Sequence, residues 1–157
     1  MKGWYYDFEN MINETKTLEY WINIAKGIAI QAHDGQYRND RVTPYIRHPE
    51  AVAASVEKRL QPIAWLHDAI EDSHGKVTVQ TLIDAGLPQY IIDAVVALTH
   101  LENVPNIVYW NTILKNPDAV IVKIADIKHN LSSNPSPRAR DKYARALKLF
   151  SDAGYAI

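Results

Sequence analysis

The sequence predicts an all-α fold, and three observations lead to that prediction. Apolar residues recur at steps of three and four along several segments, which is the spacing of one buried helix face. Prolines stand where helices are expected to begin, as at Pro49, Pro62 and Pro117, because proline suits the first turn of a helix. No segment alternates apolar and polar residues in the way that a half-buried strand requires. At 157 residues, the chain has the length of a single domain.

We divide the chain into an N-terminal arm, residues 1–16, and one domain, residues 17–157. The arm is rich in aromatic residues, and we expect it to be irregular and to pack on the body or on a neighbouring subunit. The first helix is expected over residues 17–32, where Leu18, Trp21 and Ala25 keep the helical spacing.

About seven further segments complete the predicted order of elements. Helices are expected from Pro49, over residues 62–73, 78–85, 88–100 and 107–115, from Pro117, and after Pro137. The segment after Pro117 is rich in β-branched residues, which would suit a strand. Its length and its proline start favour a helix instead.

Composition excludes several classes of function. Seventeen Lys and Arg residues against 18 Asp and Glu residues give a net charge of −1, which supplies no general attraction to nucleic acid or to anionic membranes. The absence of cysteine excludes disulfides, thiolate chemistry and Cys-ligated zinc. No apolar run approaches the roughly 18 residues of a membrane span, and residues 1–16 lack the pattern of a signal peptide. We therefore expect a cytoplasmic protein.

One predicted helix carries an unusual group of polar residues. His67, Asp68, Glu71 and Asp72 fall on adjoining sides of the helix expected over residues 62–73. Crowded carboxylates repel one another, and this helix contains no Lys or Arg that would compensate them. A divalent cation is the natural compensation for this group. Taken alone, either pair of neighbours, His67 with Asp68 or Glu71 with Asp72, would suit an ordinary helix surface.

Two further residues are candidate partners for such a cation. Asp126 lies in an otherwise apolar stretch and shares a helix face with Lys123 and Asn130. A buried Asp without a partner is costly, so the alternatives for Asp126 are a salt bridge and a metal. His48 stands before Pro49 at a rigid corner, where a side chain can be directed inward, although a surface histidine is the simpler interpretation of this residue alone.

Four motifs together resemble a known family. They are residues 32–38 (AHDGQYR), 44–49 (PYIRHP), 65–72 (WLHDAIED) and 122–130 (VKIADIKHN). Their order and spacing resemble the HD superfamily of metal-dependent phosphohydrolases. More narrowly, they resemble the hydrolase domain of RelA/SpoT-type enzymes and the stand-alone small alarmone hydrolases. The resemblance implies a single-domain, HD-type helical bundle for residues 17–157.

The resemblance also implies a metal centre and its catalytic acids. The implied ligands of one Mn²⁺ are His48, His67, Asp68 and Asp126, although Fe²⁺, Co²⁺ or Zn²⁺ suit the same donor types. Glu71 and Asp72 match the family's acidic pair, which positions and deprotonates the attacking water. The other four histidines are assigned to structure or to the surface: His33, His74, His100 and His129.

The implied substrate is a guanine nucleotide, either guanosine tetra- or pentaphosphate, which loses its 3′-pyrophosphate to give GDP or GTP. The implied substrate-binding residues are Arg38, which packs against the guanine base in the family, together with Asn130, Ser133 and Lys123. Residues 39–43 and 131–133 depart from the family pattern, and these departures concern the substrate rather than the metal chemistry.

Two alternatives stay open at this point. The first is an HD-type nucleotide phosphatase that acts on a dNTP, a nucleoside monophosphate or NADPH. The second is a non-catalytic domain that binds a nucleotide or a protein. Neither nucleic acid nor a membrane is an expected partner, and a homo-oligomer is compatible with the sequence.

Overall fold

The structure, a computed structural model, describes the backbone from Trp4 to Ile157 and the side chains from Leu18 onward. Its helices are α1 (Trp4–Ala32), α2 (Arg47–Ala54), α3 (Gln61–Leu66), α4 (Ala69–Asp72), α5 (Val79–Asp84), α6 (Gln89–Leu98), α7 (Asn106–Leu114), α8 (Pro117–Ser132) and α9 (Pro137–Asp152). A 3₁₀ turn, Lys58–Leu60, precedes α3. The described part of the chain contains one isolated bridge, between Tyr37 and Pro44, and no strand. The all-α prediction is confirmed.

The first helix begins earlier than the sequence pattern indicated. Helix α1 starts at Trp4, so the prediction that residues 1–16 are irregular is wrong for the backbone from Trp4 onward. Neither proline nor glycine occurs between Gly3 and Gly27, and nothing in this stretch therefore interrupts a helix. The expected packing of the arm's aromatic side chains concerns residues outside those whose side chains are described.

The helix expected over residues 62–73 is divided in two at His67 and Asp68. The backbone N–H of His67 donates to the carbonyl of Ala64 three residues back, and its Nδ1 lies 2.7 Å from the same oxygen. Asp68 has φ −106° and ψ −2°, a sparsely populated region outside the regular helix that is common in active sites. The side chain of His67 thus competes for a carbonyl that would otherwise serve the helix, and a separate helical segment, α4, begins at Ala69.

The core forms around α3, which contacts α1, α2, α6 and α8. Ile63, Ala64 and Leu66 are fully buried in it, and Ile127 of α8 is fully buried as well. Because α3 is enclosed on several sides, the residues that follow it are held inside the protein rather than at its surface. None of the described helices has both the length and the apolar character needed to cross a membrane.

The prolines mark helix starts much as predicted, with one shift. Pro62 and Pro117 lie in the first turns of α3 and α8, whereas α2 begins at Arg47, two residues before Pro49. His48 therefore belongs to the first turn of α2. Asn116 caps α8, and its side-chain oxygen accepts the backbone N–H of Ala119 at 3.1 Å.

The cap of α8 matters because this helix carries Asp126. We predict that Asn116→Ala lowers the free energy of unfolding by about 1 kcal/mol, since an N-terminal donor loses its acceptor. Asn116→Asp keeps an acceptor in the same place and is expected to leave stability near wild type. Urea unfolding checks both variants through the midpoint at an unchanged slope. An equal loss in the two variants would contradict this role of the cap.

Candidate metal centre

Four side chains from three separate parts of the fold converge on one point. His48 comes from α2, His67 and Asp68 from the break between α3 and α4, and Asp126 from α8. Each residue offers one ligand atom, and the four atoms all lie within 4.8 Å of one another. Both histidines and Asp126 are buried, and Asp68 is partly buried. The structure brings together the four residues that the sequence resemblance selected.

The distances within this group suit a shared cation. His48 Nε2 lies 2.8 Å from Asp126 Oδ1 and 3.2 Å from His67 Nε2, and His67 Nε2 lies 3.0 Å from Asp68 Oδ2. Metal–ligand bonds of about 2.1 Å at right angles place neighbouring ligand atoms about 3 Å apart. Two imidazoles and two carboxylates are also donors that Mn²⁺, Fe²⁺, Co²⁺ and Zn²⁺ accept. The donor set therefore fits a divalent transition metal, without selecting one.

Each imidazole has a contact on the ring nitrogen that faces away from the centre. His67 Nδ1 lies 2.7 Å from the carbonyl oxygen of Ala64, to which it donates, so Nε2 is the nitrogen that faces the centre. His48 Nδ1 lies 2.7 Å from Nδ1 of His129, and the centroids of the two rings are 4.9 Å apart. Both rings thus turn Nε2 towards the two carboxylates.

The electrostatics of the group are those of a site that needs positive charge. Burial alone would lower the pKa of His67, but the charges of Asp68 and Asp126 outweigh it, and the pKa lies well above its usual range. Burial lowers the pKa of His48, and repulsion by His67 adds to this effect. The cluster therefore favours positive charge at its centre. A divalent cation would supply that charge in place of protons on the ligands.

Asp126 is held by two residues of its own helix. Its Oδ2 accepts from Lys123 Nζ at 2.9 Å, and its Oδ1 accepts from Asn130 Nδ2 at 3.0 Å. Burial would raise the pKa of Asp126, but Lys123 and His67 lower it well below its usual range. The salt bridge that the sequence allowed for Asp126 is thus present, and the same carboxylate belongs to the cluster that could hold a metal.

The two candidate catalytic acids lie beside the cluster. Tyr45 links Asp72 to the cluster, because its hydroxyl lies 2.5 Å from Asp68 Oδ2 and 3.4 Å from Asp72 Oδ2. Glu71 accepts the backbone N–H of His100 at 2.7 Å and shares a small cleft of about 90 Å³ with Asp68. Partial removal from water raises the pKa of both acids, although Glu71 as a whole is exposed and Asp72 is half-buried, and the negative charge of Asp68 raises both pKa values further. Such carboxylates accept a proton more readily than ordinary ones.

The expected substrate-binding residues lie in two places. Arg38 Nη2 donates to Asn130 Oδ1 at 3.1 Å and to Ser133 Oγ at 3.2 Å, and its guanidinium lies 5.6 Å from the ring centroid of Tyr45. Arg38 and Ser133 line a polar pocket of about 210 Å³ next to His48. Lys123 lies on the other side, in the cleft near Glu71. Their contact with a substrate stays a prediction.

Sequence reasoning missed the contacts of two residues of this site. Tyr45 bridges the carboxylates of Asp68 and Asp72, and His129 contacts His48. His33, which the sequence assigned to structure or to the surface, is buried against the ring of Tyr45, with Nδ1 2.9 Å from Gln36 Oε1. Among the described residues, His33 Nε2 is a buried side-chain nitrogen with no hydrogen-bond partner. The available signal for Tyr45 and His129 was position, since they lie three residues before His48 and three after Asp126.

No protein-family model matches the chain, and no curated protein is significantly similar to it. The structure itself is that of a helical protein with a His/Asp cluster that could hold a metal ion, and this arrangement is compatible with an HD-type hydrolase.

We predict that Asp68→Asn weakens Mn²⁺ binding by more than about 100-fold, because residues that merely orient a ligand already contribute about 10- to 100-fold. The substitution keeps the size of the side chain and removes one anionic ligand. Calorimetric titration with Mn²⁺ measures the change. Asp84→Asn, at an exposed position of α5, is the matched control and is expected to bind as wild type does. Equal affinities for the wild type and the Asp68 variant would rule out this ligand set.

Proposed function

We propose that this protein is a metal-dependent phosphohydrolase whose substrate is a nucleotide. The observation that carries the proposal is the combination of four convergent ligands with two carboxylates of raised pKa beside them. Ligands alone would suit a structural metal, and acids alone would suit a solvated surface. A ligand set adjacent to proton acceptors and an open cleft is the arrangement that hydrolysis requires.

Each residue near the centre has a chemical task in this proposal. A divalent cation, when bound, supplies Lewis acidity that lowers the pKa of water and polarises phosphoryl oxygens. Glu71 accepts the proton of the attacking water, and the N–H of His100 fixes its carboxylate in place. Asp72 helps to hold the water, and the Tyr45 hydroxyl orients the carboxylate of Asp72 relative to that of Asp68. Burial raises the pKa of Tyr45, so its hydroxyl stays a donor.

Our leading substrate is guanosine tetra- or pentaphosphate. In this reaction a water oxygen bonds to the phosphorus attached to the 3′ oxygen, and the bond between that phosphorus and the 3′ oxygen breaks. Glu71 takes a proton from the water, and the 3′ oxygen gains one. The products are GDP or GTP and pyrophosphate. The flat guanidinium of Arg38, held by Asn130 and Ser133, supports this choice because it offers a surface on which a base can stack.

A second candidate keeps the metal and changes the substrate. Asp40 lines the same polar pocket as Arg38, and its carboxylate accepts from the backbone N–H groups of Val42 and Thr43 at 2.9 and 2.8 Å. A carboxylate fixed in this wall repels a 3′-pyrophosphate group that would lie there. This repulsion favours a substrate without a 3′-pyrophosphate, such as a dNTP, a nucleoside monophosphate or NADPH, and hence an HD-type nucleotide phosphatase.

The first experiment measures product release with Mn²⁺ at micromolar enzyme over a panel of these nucleotides. We predict turnover of guanosine tetraphosphate to GDP and pyrophosphate, with loss of turnover in excess chelator and recovery on adding Mn²⁺. Release of orthophosphate from another nucleotide would replace the leading substrate with the second candidate. No turnover of any member of the panel would contradict the proposed function.

The second experiment separates catalysis from binding. We predict that Glu71→Gln lowers kcat by about 100- to 10,000-fold, since that is the usual contribution of a positioned general base. Mn²⁺ affinity should be unchanged, because Glu71 is outside the ligand set. Glu102→Gln, in the exposed loop after α6, is the matched control and should keep full activity. Wild-type turnover by the Glu71 variant would remove this residue from the mechanism.

A further inference from the structure

His129 stands at the back of one ligand of the candidate centre. It lies on α8, three residues after Asp126, and its Nδ1 is 2.7 Å from Nδ1 of His48. The two ring planes are inclined to each other by 28°, with their centroids 4.9 Å apart. His48 itself is 1% exposed, so its Nδ1 has no access to bulk water. The sequence had assigned His129 to structure or to the surface.

Two nitrogens at this distance must share one hydrogen, and there are two ways to place it. If His129 carries it, His48 Nδ1 is the acceptor, and the hydrogen of neutral His48 then sits on Nε2. That arrangement directs an N–H at Asp126 and leaves His48 without a lone pair for a metal. If His48 carries it on Nδ1, then His129 accepts and His48 Nε2 is free to act as a ligand. Only the second arrangement is compatible with metal binding.

We propose that His129 is the positioning residue of the metal centre, accepting the Nδ1–H of His48 and holding that imidazole in its ligating tautomer. The inference rests on the metal centre of the proposed function and goes beyond it by assigning a role outside the ligand set. Under this proposal both candidate imidazole ligands donate an Nδ1–H away from the centre, because His67 donates its own to the carbonyl of Ala64. One ligand is thus oriented by the backbone and the other by a side chain.

Of the two acceptors, the carbonyl of Ala64 and the side chain of His129, only His129 can be removed by a substitution. His129 is also only partly buried. It lines both the polar pocket beside Arg38 and an apolar groove of about 890 Å³ between α2, α8 and the C-terminus. The ring therefore forms part of the wall between solvent-accessible space and a buried ligand, and its loss would leave the N–H of His48 without an acceptor.

The test measures metal affinity, not activity, by competition of the purified proteins with a chromophoric chelator for Mn²⁺ and Zn²⁺. His129→Phe keeps an aromatic ring without the acceptor, and His129→Lys supplies only a donor. We expect both to weaken metal binding by about 10- to 100-fold. His129→Asn places a side-chain oxygen where Nδ1 lies and is expected to restore most of the affinity. His74→Asn, in an exposed turn, controls for the loss of a surface imidazole and should bind as wild type does.

The outcomes are distinct from those of the substrate panel. Wild-type affinity in both the Phe and the Lys variants would overturn the role of His129 and leave hydrolysis intact. An equal loss in the Asn variant would overturn it as well, because the acceptor would then not matter. Weaker binding in the Phe or Lys variant with recovery in the Asn variant supports the role even if no nucleotide is hydrolysed. Circular dichroism of the metal-free proteins identifies any variant that does not fold. If one of the Phe and Lys variants does not fold, the metal affinity of the other tests the role of His129.

Discussion

Two carboxylates and two imidazoles occupy one small space, most of it buried, and much of the surrounding structure compensates for the charge they carry. Asp68 and Asp126 are 16% and 4% exposed in their side chains, too little for water to neutralise their repulsion. Lys123 and Asn130 serve Asp126 from its own helix, and Tyr45 serves Asp68 from the loop before α2. The centre is thus built from pieces distant in sequence that the helical core brings together. A cation held between the four side chains would complete the compensation that these neighbours begin.

The break between α3 and α4 is the local device that makes this convergence possible. In an unbroken helix, His67 and Asp68 would point about 100° apart. The side chain of His67 instead bonds to the carbonyl of Ala64, and the φ of −106° and ψ of −2° at Asp68 lie at the edge of the helical region. His67 Nε2 and Asp68 Oδ2 then lie 3.0 Å apart. The departure from regular structure occurs where two adjacent residues must face one point.

Much of the helical fold followed from local patterns in the sequence. Helical spacing and the proline at Pro117 are short-range signals, and the structure has helices where they predicted them. The candidate ligands came from motifs whose order resembles a family, and the same four side chains lie together in the structure. The helix break at His67 could not be predicted, because it depends on a side-chain bond that competes with the helix. The contacts of His129 and Tyr45 were missed for a related reason, since each joins residues from different helices or loops. The start of α1 at Trp4 was not predicted, although neither proline nor glycine interrupts the chain between Gly3 and Gly27.

The central claim is that these four side chains hold one metal ion. Crystals grown with Mn²⁺ and measured on both sides of the manganese absorption edge test it directly through anomalous scattering. We predict one strong anomalous peak per chain, about 2.1 Å from Nε2 of His48 and His67 and from one carboxylate oxygen each of Asp68 and Asp126. Direct hydrogen bonds among the four side chains, with no peak between them or with peaks only at surface residues, would contradict the account.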